Sequence, residues 1–165
     1  MMFVLACEGK SEVFLAKSLM AFGHLSLPGE IFLDGPIVMR QFGKYLPILS
    51  LVPINEDIRV LRIGDTQRDI FSTKGLELRE GHISIETYCT KPEVEILVII
   101  REGLYKQYAK VSREMTPKQF IKSMFHDFSP EEYFEKNDMY DSIMEYKRIR
   151  NHEKGELFLA DLLHK

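Results

Sequence analysis

Apolar residues come in short unbroken runs early in the chain and at helical spacing towards its end. Phe3-Val4-Leu5-Ala6 is too short and too uniformly apolar for an amphipathic helix, and reads as a buried strand of a parallel sheet. Behind it Leu15, Leu19 and Phe22 recur at helical spacing, with Ser11 placed to cap that helix. The stretch from Gly23 to Gly35 is rich in turn residues and reads as a connection around a short strand at Ile31-Phe32-Leu33. Pro36 is positioned to open a helix through Val38, Phe42 and Tyr45 that fades near Pro47. Ile58 to Ile63 is a second apolar strand, followed at once by Gly64-Asp65. After a polar, loop-like stretch from Thr66 to Gly81, Ile83 to Tyr88 alternates with period two, the mark of a strand with one exposed face.

Thr90-Lys91-Pro92-Glu93 fits a capping box, with Thr at the N-cap and Glu three residues on. The run Val94 to Ile100 that follows has strong β-propensity, so strand and helix compete there. The box, and Gly103 as a C-terminal stop, favour a helix. Such a helix is apolar nearly all round and therefore buried, which singles out its interior acid, Glu95. From Leu104 the pattern turns polar and helical. Thr116-Pro117 and Ser129-Pro130 are start signals, and apolar spacing continues through Ile143, Tyr146 and the leucines of Gly155 to Leu163. The expected fold is α/β: a small parallel-sheet, Rossmann-like domain over residues 1–103, with a helical extension over residues 104–165 packed on it.

Composition narrows the partners. A chain of 165 residues with net charge -3 suits one domain with an appendage, and no global basic field marks it as a nucleic-acid binder. The Lys147-Arg148-x-Arg150 cluster reads as a solvated helix face. Cys7 and Cys89 are too few for a disulfide framework or a zinc site, and the five histidines show no metal-ligand spacing. No signal peptide and no membrane-spanning run is visible, so a cytoplasmic protein with no membrane contact is expected.

The chemistry lies at the strand ends. Glu8 follows the first strand and Asp65 the second, the positions where open α/β sheets gather functional groups. The plain alternative for Glu8 is a solvated turn residue. Gly9-Lys10-Ser11 resembles part of a phosphate loop, but Val4 stands inside the strand where that loop needs its other glycine. If the two strands are adjacent and parallel, Glu8 and Asp65 share one sheet edge. Clustered carboxylates repel unless a cation lies between them. Oxygen-only ligands suit Mg²⁺ or Mn²⁺, which activate water and steady a leaving oxygen in phosphodiester cleavage. The candidate metal residues are Glu8, Asp65 and Glu95, with Gln67 or Asp69 as outer contributors. Gly9, Lys10 and Ser11 at the helix start are the candidate phosphate-binding residues, and Lys10 with Glu8 is the candidate catalytic pair.

These residues carry a resemblance. Glu8-Gly9-Lys10-Ser11-Glu12 after a strand, an acid after the next strand, and Pro92-Glu93-Val94-Glu95-Ile96-Leu97 look like the Toprim fold. The pattern resembles the OLD-type and RloB-like proteins of bacterial and phage defence systems, over roughly residues 1–103. Toprim domains usually carry Asp-x-Asp in the middle motif, where this chain has Asp65-Thr66-Gln67. The resemblance implies a Mg²⁺- or Mn²⁺-dependent nuclease or related phosphoryl-transfer enzyme. Its partners would be DNA or RNA and a defence-system protein. The alternative is a Toprim-like module that has lost catalysis and serves in binding or assembly.

Overall fold

A computed structural model of the chain describes residues 1–25, 27–65, 72–151 and 153–164. The fold is α/β, with a parallel sheet at its centre and helices on both faces. In chain order the elements are β1 (Met2–Cys7), α1 (Lys10–Ala21), β2 (Glu30–Ile31), β3 (Ile37–Val38), α2 (Phe42–Leu49), β4 (Ile58–Gly64), β5 (Ile83–Cys89), α3 (Glu95–Arg101), α4 (Tyr105–Ala109), α5 (Pro117–Met124), α6 (Pro130–Lys136), α7 (Tyr140–Ile149) and β6 (Leu157–Phe158).

The sheet order is β2-β1-β4-β5-β6, every pair parallel, and β3 also pairs with β1. Met2 and Phe3 pair with β2, while Ala6 and Cys7 pair with β3, so these two short strands are successive pieces of one interrupted edge strand. Between them a 3-10 turn (Phe32–Asp34) carries Leu33 and Asp34 at φ 56° and 55°, the left-handed region that L-residues disfavour.

Alternation along the strands sorts two cores. Phe3, Leu5 and Cys7, with Leu61 and Ile63, face α1, α3 and the later helices. Val4 and Ala6, with Ile58 and Val60, face Phe32, Phe42 and Leu49 on the other side. β1 is buried on both faces and paired on both edges, which is why it reads as a continuous apolar run. Helix α3 is buried at Ile96, Leu97, Val98 and Ile99, and it packs against α5 and α7, so a segment of strand-forming residues is helical because it is covered on most sides.

Several local expectations are corrected. The N-cap of α1 is Gly9, and Ser11 lies inside the helix, because the Glu12 carboxylate folds back to accept from the Gly9 N–H at 3.1 Å. Pro36 leads into β3, and α2 begins only at Phe42. The helix at residues 94–101 starts at Glu95 with Val94 as N-cap, and Thr90 is not its cap. Thr90 instead continues the sheet, donating its N–H to Gly64 O at 2.9 Å. Glu93 caps a different helix: its Oε2 accepts from the Lys118 N–H of α5 at 2.9 Å. The alternation of β5 is incomplete, since Ile85 is 39% exposed; on the strand's other side Glu86 binds Arg59 and the Tyr88 hydroxyl.

The stretch after Gly155 was expected to be helical. It contributes β6 to the sheet, followed by a 3-10 turn. Arg150 fastens this return, donating to Glu156 Oε1 at 3.3 Å, Cys89 Sγ at 3.1 Å and Tyr146 Oη at 2.8 Å, with its plane over Phe158. The Tyr146 hydroxyl donates to Lys91 O, so α7 and β6 hold the connection between β5 and α3.

The helices after residue 104 cover a core face that the sheet cannot cover alone. Phe134 of α6 is 1% exposed in that core. Phe134→Ala is therefore expected to cost about 3–5 kcal/mol of stability, read as a lowered urea midpoint for the whole chain. If the helices instead formed an independent unit, a second transition would separate from the first.

Candidate functional site

From β1 the chain crosses by α1 to the β2 side of the sheet, and from β4 it moves to β5 on the opposite side. Helices α1 and α2 lie on opposite faces. The carboxyl ends of β1 and β4 therefore flank a topological switch point, where open α/β sheets form their ligand crevice. Glu8 follows β1 and Asp65 follows β4 at this position.

The pairing places these two acids together, as the strand order required. Cys7 lies opposite Ile63, and the Glu8 N–H donates to Ile63 O at 2.9 Å. The Glu8 carboxylate then turns across the strand end, and its Oε2 accepts from the Asp65 N–H at 2.8 Å. Gly64 makes room for that turn. A Cβ on Gly64 would lie 2.8 Å from the Glu8 Cβ and closer still to the carboxylate. A glycine between strand and acid is therefore a steric requirement of the site.

Two more acids approach. Glu95 opens α3 and is 5% exposed; the Ser11 hydroxyl reaches its Oε1 at 3.5 Å, a long contact. Glu12 was not among the expected site residues, and it is part of the cluster. Its burial, then the charges of Glu95, Glu8 and Asp65, push its pKa up to about 7 against the lowering effect of a hydrogen bond from its own backbone. Burial, followed by the adjacent Glu8, pushes Asp65 up to about 6. Burial, with Glu93 nearby, also raises Glu95. Glu12 follows Glu8 by four residues across the start of α1, and that spacing was the available sequence signal.

Among the described residues, no three His, Cys, Asp or Glu side chains stand close enough together to hold a metal ion. Glu8 and Asp65 form a contacting pair within electrostatic reach of Glu12, which is in turn within reach of Glu95. Gln67 and Asp69 lie outside the described residues. Lys10 is the first residue of α1 and is exposed, beside Gly9.

The basic groups of the Lys147–Arg150 cluster are occupied. Lys147 pairs with Asp161, Arg148 with Glu145 at 2.5 Å and Arg150 with Glu156 at 3.3 Å, so this cluster serves the fold. A cavity of about 620 Å³ lined by His24, Arg101, Asp138 and Tyr140 lies at the far end of α1. Its His24 and Asp138 bond each other at 2.7 Å, so the strand-end acids remain the place where like charge accumulates. Among the described residues no helix is long and apolar enough to cross a membrane.

Compared with known proteins, the chain matches no family, no curated protein and no solved structure.

Two outcomes follow from this geometry. Gly64→Ala is expected to displace the Glu8 side chain and free the Asp65 N–H, seen as a large amide shift of Asp65 with little change elsewhere in the sheet. An acid whose pKa is raised on folding binds its proton more tightly in the native state. Metal-free protein should therefore lose stability as pH rises from about 4.5 to about 7, the window between the ordinary and the raised value of Glu12. Glu12→Gln keeps an acceptor for Gly9 and should flatten that slope in thermal melts; an unchanged slope would remove Glu12 from the cluster.

Proposed function

We propose that this chain is a Toprim-like, Mg²⁺- or Mn²⁺-dependent phosphodiester-cleaving enzyme acting on DNA or RNA in a bacterial or phage defence setting, with a defence-system protein as partner. One observation carries the reading: Glu8 and Asp65 contact each other at the switch point between β1 and β4, beside a raised-pKa Glu12 and a buried Glu95. Like charges gathered at a ligand crevice call for a cation.

The donor set suits the metal. Mg²⁺ is commonly held by one or two carboxylates, keeping its waters and taking further oxygens from substrate phosphates. A contacting pair such as Glu8 and Asp65 meets that need without a third protein ligand. The bound ion would supply a lowered water pKa and stabilisation of the leaving oxygen. The chain's own residues orient the site. The Asp65 N–H fixes the Glu8 carboxylate, Gly64 leaves it space, and Glu12, near neutral pH in its titration, is placed to hold or release a proton. Lys10 supplies the positive charge for a phosphate oxygen at the start of α1.

A second reading, a Toprim-like module without catalysis, draws on the absence of a three-acid set among the described residues. Metal dependence separates the two. Without metal, Glu8→Gln and Asp65→Asn should relieve repulsion and leave the melting temperature unchanged or higher. With Mg²⁺ or Mn²⁺ the wild type should gain stability that both variants lack, and cleavage of labelled oligonucleotides should vanish in Glu8→Gln. If neither variant alters the response to metal, the enzymatic reading fails. Metal binding with no cleavage of DNA or RNA would favour the binding module.

A further inference from the structure

The edge strand that flanks β1 is interrupted, and its second piece rejoins the sheet at the carboxyl end of β1. Glu30–Ile31 pairs with the start of β1, the chain leaves through a turn with Leu33 and Asp34 in left-handed conformation, and Ile37–Val38 rejoins β1 at its carboxyl end. Left-handed backbone at a leucine is unfavourable, and such strain concentrates where a segment is held for function. What the detour delivers is a 3-10 turn, Met39–Gln41, at the same sheet edge as Glu8, Gly9 and Lys10.

Val38 is the register partner of Cys7, so Arg40 follows its strand end as Gly9 follows β1. Paired strands lie about 4.8 Å apart and successive Cα atoms about 3.8 Å apart, so the Arg40 backbone lies no more than about 16 Å from that of Glu8. Arg40 is exposed, and its guanidinium forms no ion pair with a described residue; the same is true of Lys10. Arg59, Lys91, Arg101, Lys147, Arg148 and Arg150 are all engaged with acids of the chain. Lys10 and Arg40 are thus two exposed cations without an ion pair among the described residues, near an acidic strand edge, in a chain whose net charge is -3.

We propose that Arg40 is a phosphate-binding residue that, together with Lys10, holds the backbone of a nucleic-acid strand across the carboxyl edge of the sheet next to Glu8. This rests on the reading of the site as one that acts on phosphodiesters, and it assigns the side from which the strand enters. The backbone runs over the β1–β3 side, where the cations are, and presents a phosphate to Glu8 and Asp65. Guanidinium suits this task because its fork matches two phosphate oxygens.

The test is binding of fluorescein-labelled single-stranded DNA and RNA of one sequence to the full chain in EDTA, by anisotropy, over a series of salt concentrations. Each phosphate contact contributes about 0.7 to the slope of log K against log salt for single strands. Arg40→Gln and Lys10→Gln are each expected to lower the slope by about that amount, and the double variant by about twice it. Arg40→Lys should keep the slope. Lys136→Gln is the control: it closes α6 two residues before Asp138, which bonds His24 at the far end of α1, and its slope should match the wild type. If the wild type binds and Arg40→Gln keeps the full slope, the assignment of Arg40 is overturned while the phosphodiester reading stands. If the wild type binds neither DNA nor RNA, both are overturned. A fall in melting temperature of several degrees in both Arg40→Gln and Arg40→Lys would make Arg40 a structural residue and overturn the assignment as well.

Discussion

The fold depends on the pairing of β1 along both of its edges. A strand buried on both faces has no water to satisfy its backbone, so its N–H and C=O groups require neighbours on either side. In this chain those neighbours are β4 on one edge and the two pieces β2 and β3 on the other. The chain therefore departs from β1 to one side and returns to the other, which opens a crevice at the carboxyl ends. The position of Glu8 beside Asp65 is a consequence of that pairing and its register.

The crevice shows how a small polar arrangement is built from steric permission. Gly64 lacks a side chain, so Glu8 can lean across β4 and take the Asp65 N–H. Glu12 meanwhile satisfies the free N–H of Gly9 and enters the same electrostatic neighbourhood. Helix capping and acid clustering are here two aspects of one side chain: the cap draws the carboxylate towards Glu8, and burial with like charge raises its pKa. The cost of gathering these acids is offset by the core beneath them, where Leu5, Leu15 and Leu61 are excluded from water.

The C-terminal helices participate in this arrangement through their packing. They cover α3, whose apolar circumference has no other means of leaving water, and through Arg150 and Tyr146 they tie the connection that carries Glu93 and Glu95. Glu93 caps α5 and Glu95 faces Ser11 of α1, so neighbouring acids of one motif serve a structural and a site-facing purpose. The basic cluster at Lys147, Arg148 and Arg150 is likewise used within the fold.

What the chain by itself determined was local or periodic: the apolar strands ending in Glu8 and Asp65, the burial of the helix at Glu95, and the starts of α5 at Thr116-Pro117 and α6 at Ser129-Pro130. Those features follow from side-chain alternation and capping within a few residues, which a sequence records directly. The tertiary structure decided the rest. The capping pattern at Thr90 to Glu93 has the right residues, but Thr90 is taken by pairing with Gly64 and Glu93 by α5, so the helix begins later. The two residues of β6 are too short for any period and become a strand only because β5 offers an open edge. Glu12 joins the acids, and the turn carrying Arg40 reaches the carboxyl end of β1, through packing and register that bring together residues far apart in the chain. Long-range contacts of this kind leave no local mark, because the partner that gives each residue its meaning lies elsewhere in the sequence.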